Sequence, residues 1–417
     1  MNTRTRTVLA AALVLGIAAG PAAPAFAAAS PASHGGAAVS ASQGAASQGA
    51  ADRRAPVPEP VAKALRDAIN GLPDDKATAA LVRVSGTDGQ WRGSSGVHDL
   101  PSGRGADPRA RFRAGSVTKV FVAAMVLQLA AEKKVDLDAS VRDYLPDVIP
   151  AAYEDVTVRQ LLNHTHGIPS ADFPGKDVGD WYDLRFQIHD PHAIVASATS
   201  PAKKKESTVP GERQRYSNIG YTIAGLLIEK VTGDSYENQL AQRITKPLGL
   251  CDTYAPGESP RIRGPHNRGY QVFPLPGGGS ELRDVSVWSV TDGWAAGDLV
   301  STTADLERFT HALFAGKVVR GPLLEEMFTR PEVKEGSADY SVGMTRWEVG
   351  GKEVWGKTGG RWGYNAGIGA TRPTRDAHGL SSRTLVYSIN STDAKGQGSN
   401  AIVMRLVNAA FEAPKQP

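Results

Sequence analysis

The sequence predicts a two-lobe α/β domain, on three observations. Strand-like segments stand near both ends of the folded region. The middle is rich in helical periodicity. No linker or internal repeat divides the stretch between them. In order, Val61 to Asn70 reads as an amphipathic helix, followed by strands at Ala79 to Val84 and Trp91 to Val97. Ser116 to Lys133 is a long helix. Its apolar positions Val120, Ala124, Leu127 and Ala131 recur at helical spacing, and Phe121, Met125 and Leu129 widen the stripe until most sides are apolar. Helices are expected over Thr157 to Leu162, Tyr221 to Thr232, Tyr236 to Ile244 and Thr303 to Phe314. Four strands follow (Tyr340 to Val349, Lys352 to Lys357, Ala366 to Thr371 and Thr384 to Asn390), and a helix from Asn400 to Phe411 closes the chain. The α/β lobe is therefore assigned to 59–112 and 295–413, and a helical lobe to 113–294.

The 417 residues are 41% hydrophobic and 22% charged, enough for an enzyme-sized core. The balance is 47 Lys plus Arg against 43 Asp plus Glu; without Arg4 and Arg6 it is 45 to 43, too near neutral for nucleic acid as a main partner. The single cysteine, Cys251, excludes an internal disulfide and a Cys-based zinc site. Residues 1–27 read as an export signal. Arg4 and Arg6 precede an apolar run from Val8 to Ala19, prolines break it, and Ala25-Phe26-Ala27 fits signal peptidase. Residues 28–58 are mostly Ala, Ser, Gly and Gln and read as a tether, leaving 59–413 as the folded domain. The mature protein is therefore expected to work outside the cytoplasm.

Three short motifs carry the chemistry. Ser116-Val117-Thr118-Lys119 opens the long helix. Residues three apart on a helix share a face, so hydroxyl and amine can meet, beside N–H groups that favour an oxyanion. This is the equipment of nucleophilic acyl transfer. Ser-x-x-Lys alone occurs about once by chance in such a chain, and it recurs at Ser200 to Lys203, in a Pro- and Lys-rich stretch without an apolar face. Tyr216-Ser217-Asn218 supplies a phenol able to move a proton and an amide able to hold a carbonyl; Tyr236-Glu237-Asn238 repeats the pattern inside a helix. Lys357-Thr358-Gly359-Gly360 ends a strand. Its lysine and threonine can grip a carboxylate, its glycines admit substrate to the backbone, and the Gly360 N–H can join that of Ser116 as an oxyanion donor.

These motifs resemble those of the serine penicillin-recognising (β-lactamase and DD-peptidase) family, in particular class C β-lactamases and secreted D-alanyl-D-alanine carboxypeptidases of the Streptomyces type. Supporting stretches are Phe112 to Gly115, Leu161 to Thr165 with Gly167, Lys246 to Leu250 and Ala296 to Thr302. The resemblance implies an antiparallel sheet with flanking helices plus an all-helical lobe, and a site at their junction. It also implies Ser116 as nucleophile, Lys119 and Tyr216 as the proton-handling pair, and Asn218, Lys357, Thr358, Gly359 and Gly360 as substrate contacts. Lys357 matches class C β-lactamases where carboxypeptidases of this branch often have His, whereas the Gly-Asp-Leu-Val-Ser-Thr stretch leans towards the carboxypeptidase. The acid that class A enzymes place four residues before an Asn is replaced by Arg159.

The expected function is an acyl-enzyme D-alanyl-D-alanine carboxypeptidase. Its partners would be D-Ala-D-Ala-terminated peptides, β-lactams and the cell wall, with no nucleic acid, no cofactor and no metal, and it would act as a monomer. A class C-like β-lactamase, an esterase or D-amino-acid amidase, and an inactive wall-binding protein are the alternatives; the last has no need of Lys119 and Tyr216 together. His164 and His166 lack a His-Glu-x-x-His context. Trp288 and Trp294 fit either cleft or core, and Arg346 is a candidate carboxylate contact.

Overall fold

The computed structural model describes residues 55–376, 379–396 and 401–412; the expected export signal, and the tether up to residue 54, lie outside the described residues. Val57 is already buried, and its N–H bonds the Gln90 carbonyl, so packed chain begins just ahead of residue 59.

One antiparallel sheet of six strands organises the molecule, in the order β2-β1-β12-β9-β8-β7. β1 (Ala77–Gly86) pairs with β12 (Arg383–Ser391), which joins the two ends of the folded region and makes one lobe from both. β2 (Gly89–Gly96) guards one edge; β9 (Tyr364–Thr371), β8 (Lys352–Arg361) and β7 (Thr345–Val349) complete the other side. β12 is buried at every position, as a central strand covered on both faces must be. The amphipathic helices Glu59–Ile69 and Ala401–Phe411 cover one face through Leu65, Leu406 and Phe411. The opposite face meets the helix Thr303–Phe314 and the core of the second lobe. Among the described residues, no helix is long and apolar enough to cross a membrane.

The second lobe is built around two 14-residue helices, Thr118–Ala131 and Ile219–Thr232. The first is buried on nearly all sides, and its Phe121 stacks on Phe309 with ring centroids 3.7 Å apart. Several boundaries differ from expectation for local reasons. The long helix starts at Thr118, because Gly115–Val117 forms a tighter 3₁₀ turn. The strand expected from Tyr340 starts at Thr345, because Ser341 N–H bonds the Met344 carbonyl around Gly343. β8 runs four residues further, to Arg361, because its register with β9 persists to the Trp362-Gly363 turn.

The segment 113–294 is not helical throughout. A hairpin of β4 (Tyr270–Pro274) and β5 (Ser280–Asp284) lies within it, too polar on β5 to show alternation. Two further short pairs are β3 (Phe112–Arg113) with β6 (Val300–Ser301), and β10 (Thr374–Asp376) with β11 (Gly379–Ser381).

Phe121→Ala would empty a fully buried ring site and should destabilise the protein by about 3–5 kcal/mol. The check is the denaturation midpoint of the variant against wild type.

Candidate active site

The β3–β6 pair delivers the chain to the lobe junction, where the Ala114 N–H bonds the Leu299 carbonyl at 2.8 Å. Gly115 then adopts φ +52°, a left-handed conformation that favours glycine. Thr118 locks the turn: its Oγ1 donates to the Gly115 carbonyl at 2.8 Å and accepts from the Leu299 N–H at 3.1 Å. Ser116 is thereby held at the entrance of a helix.

Lys119, one turn on, is fully buried. Its Nζ lies 3.2 Å from Ser116 Oγ, 2.8 Å from Asn218 Oδ1 and 2.6 Å from the Ala296 carbonyl. The Tyr216 hydroxyl stands 2.8 Å from Ser116 Oγ on another side. Burial first, then the charges of Lys357, Arg361 and Lys395, hold the Lys119 amine well below its ordinary pKa. Burial pushes the Tyr216 phenol up. Desolvation thus disfavours both the ammonium of Lys119 and the phenolate of Tyr216. The amine can take the serine proton, and the phenol can pass a proton to a departing group.

β8 forms the opposite wall. A Cβ on Gly359 would stand 2.0 Å from the Ala114 carbonyl and 2.8 Å from Ser116 N, so only glycine lets strand and turn approach. A Cβ on Gly115 would meet Gly360 N at 2.6 Å, which brings the two proposed oxyanion amides together. Lys357 is 3% exposed; its Nζ donates to the Thr358 carbonyl at 2.9 Å and lies 4.9 Å from the Tyr216 ring centroid. Burial lowers its pKa to about 7. Thr358 is half-buried at the same strand end. Ser116, Lys119, Tyr216, Asn218, Lys357, Gly359 and Gly360 therefore gather at one place, while Thr358, next along the strand, lines a cavity with Val354, Tyr387 and Phe411.

Sequence reasoning missed the parts that steady this group. The Ala296 carbonyl is backbone and leaves no side-chain signal. Arg361, directly after the third motif, binds its loop: Nε donates to the Gly297 carbonyl at 2.8 Å, the second nitrogen to Val290 at 3.0 Å, and the third to both oxygens of Asp292 at 2.9 and 2.8 Å. His164 Nδ1 accepts from the Ser217 N–H at 3.3 Å, and its ring centroid lies 4.5 Å from that of Tyr216. His166 Nδ1 accepts from the Ile168 N–H at 2.9 Å, so backbone amides engage both rings.

Other candidates lie elsewhere. Lys203 pairs with Asp172 at 2.6 Å, and Tyr236 is a buried donor to Asp298 at 3.2 Å. Arg346 pairs with Glu353 at 2.5 Å across β7 and β8. Trp294 donates to Glu237 within the helical core, whereas Trp288 stacks on Trp362. Arg159 pairs with Asp138 at 2.7 Å, and Cys251 is exposed and unpaired.

The chain is similar to known proteins. The profile of the family named Beta-lactamase matches residues 65–409. Penicillin-binding protein 4* of Bacillus subtilis is 26% identical over 273 residues, covering 63% of this chain and 58% of that protein. Penicillin-binding protein 4 of Amycolatopsis lactamdurans is 32% identical over 222 residues, covering 52% and 54%. The chain thus spans little more than half the length of these relatives. Among solved structures, a D-stereospecific amidohydrolase from Streptomyces superposes with a TM-score of 0.70 at 29% identity, over 84% of this chain and 98% of that one. D-amino acid amidase from Ochrobactrum anthropi SV3, at 23% identity and a TM-score of 0.65, covers the same shares and has the same fold.

Two outcomes are expected. Penicillin should add its mass to the protein, and Ser116→Ala should abolish the adduct; an adduct that persists, or maps to Ser200, refutes the assignment. Lys119→Ala and Tyr216→Phe should each slow acylation by at least about 100-fold, the low end for loss of a general acid or base. Stopped-flow acylation rates decide this.

Proposed function

Since the chain belongs to the Beta-lactamase family, as a serine hydrolase of the penicillin-binding type, we propose that it is a secreted D-alanyl-D-alanine carboxypeptidase. The observation carrying this reading is Lys357, a buried cation over the Tyr216 ring with no carboxylate ion pair among the described residues. A free C-terminal carboxylate is the substrate group that such a cation recognises. Ser116 Oγ attacks the penultimate carbonyl while its proton passes to Lys119. The oxyanion rests on the amides of Ser116 and Gly360. As the peptide bond breaks, Tyr216 donates to the departing D-alanine amine and recovers a proton from Lys119. Water then adds to the acyl-enzyme ester, loses its proton to the same pair and frees Ser116.

Asn218 would hold the acyl-side amide, and Lys357 the carboxylate. Export through residues 1–27 and tethering by 28–58 would place the domain, as a monomer, among wall peptides; a mature protein starting at Ala28 on intact-mass measurement is the expected result. The amidohydrolase likeness favours D-amino-acid amide hydrolysis as a second reading. An amide substrate presents no C-terminal carboxylate to Lys357.

The two readings separate on one ratio. A charge-assisted hydrogen bond is worth roughly 1.5–3 kcal/mol, so a free D-Ala-D-Ala peptide should beat its C-terminal amide by about 10- to 150-fold in kcat/KM. Lys357→Ala should erase most of that preference. An amide that is the better wild-type substrate replaces carboxypeptidase with amidase.

The same lysine sets a pH dependence. It is cationic below its folded pKa of about 7 and neutral above it. The acid-over-amide ratio should therefore fall as pH rises through 7 in a kcat/KM profile, and a ratio flat from pH 6 to 9 contradicts the assignment.

A further inference from the structure

We propose that Lys395 is a second anion-recognition point in the cleft, selecting substrates that carry a carboxylate on the acyl side of the scissile bond. This deepens the carboxypeptidase reading and takes its substrate orientation from it.

Lys395 stands in the turn after β12, and that turn is pinned on all sides. The Thr392 N–H bonds the Lys76 carbonyl at 2.9 Å, and the Val272 N–H bonds the Thr392 carbonyl at 2.7 Å. Asp393 accepts from Gln271 at 3.0 Å, and the Ala394 carbonyl accepts from Asn365 at 3.1 Å. The turn abuts the oxyanion strand: a Cβ on Gly360 would lie 3.2 Å from the Ala394 carbonyl. The lysine thus follows three hydrogen-bonded residues and is presented beside Gly360.

Its charge has no protein partner of its own. Nζ lies 5.8 Å from the Trp362 ring centroid, at the outer limit of a cation–π contact. No carboxylate forms an ion pair with it among the described residues. Asp292, whose charge it feels, already gives both oxygens to Arg361. Burial lowers its pKa to about 8, so at neutral pH it is still cationic, and its charge opposes that of Lys119. A half-buried cation without a counter-ion is costly, and an anionic ligand is what removes the cost.

The side of the substrate follows from β8. Lys357 lies three residues before Gly360 and Trp362 two residues after it. A peptide with its C-terminal carboxylate at Lys357 and its reacting carbonyl at Gly360 sends its acyl portion towards Trp362 and Lys395. Two extended residues span about 7 Å, which matches the residue preceding the penultimate D-alanine. The occupant is a side-chain carboxylate at that residue.

The test compares N-acetyl-L-glutamyl-D-Ala-D-Ala with N-acetyl-L-glutaminyl-D-Ala-D-Ala, and the same two acyl groups as D-Ala esters without a C-terminal carboxylate. The glutamyl member should lead in kcat/KM by about 10-fold in both pairs, the range of one charge-assisted contact. Lys395→Gln should bring the glutamyl-to-glutaminyl ratio to about 1, and Lys395→Arg should retain most of it. Equal wild-type rates, or a glutamyl preference that survives Lys395→Gln, overturn the proposal. Loss of acid-over-amide discrimination with the glutamyl preference intact in the esters would sink the carboxypeptidase reading alone.

Discussion

The site depends on one buried amine. Lys119 Nζ has three oxygen neighbours, from Ser116, Asn218 and Ala296, each on a different stretch of chain. An amine in that position cannot be solvated by water, so each oxygen must be fixed by its own support. Thr118 locks the serine turn, the helix Ile219–Thr232 begins directly after Asn218, and Arg361 fastens the loop that offers Ala296. Much of the lobe junction is the scaffold that these three oxygens need.

β8 is the element through which the two lobes agree on geometry. Within five residues it carries the buried cation Lys357, the glycines that admit the serine turn, and the arginine that binds the loop behind Lys119. Its hairpin with β9 fixes the spacing of all of them, because Lys357 opposes Ile368 and Arg361 opposes Tyr364. A slip of one residue would turn Lys357 to the other face and put a side chain where Gly359 must lie.

Charge explains the division of labour. Lys119, Lys357, Lys395 and Arg361 converge, while Asp292 is the acid that pairs with this group and Arg361 holds it. Asp298 is buried, with a pKa raised to about 7, and offsets little. The excess favours the neutral amine of Lys119 and leaves Lys357 and Lys395 available for the substrate anions proposed above. The ring of His164 stays neutral against Tyr216, because burial and then Lys119 push its pKa well down.

The sequence by itself determined most elements and marked the candidate reacting groups. Apolar periodicity marked the long helices, and two-ended strand propensity marked a sheet shared by both ends of the folded region. Ser116, Lys119, Tyr216 and Lys357 were legible because side-chain chemistry at fixed spacing is written in residue identity. The β4–β5 hairpin was not legible, since its second strand is exposed and polar and carries no hydrophobic alternation. Nor was the Ala296 carbonyl, because every residue has one and only the fold chooses which is used. Arg361 and Lys395 read as ordinary cations. Tertiary structure decided that one binds a loop 64 residues away while the other stands beside Gly360 with no counter-ion among the described residues, since burial and neighbours, not residue type, set the work of a charge.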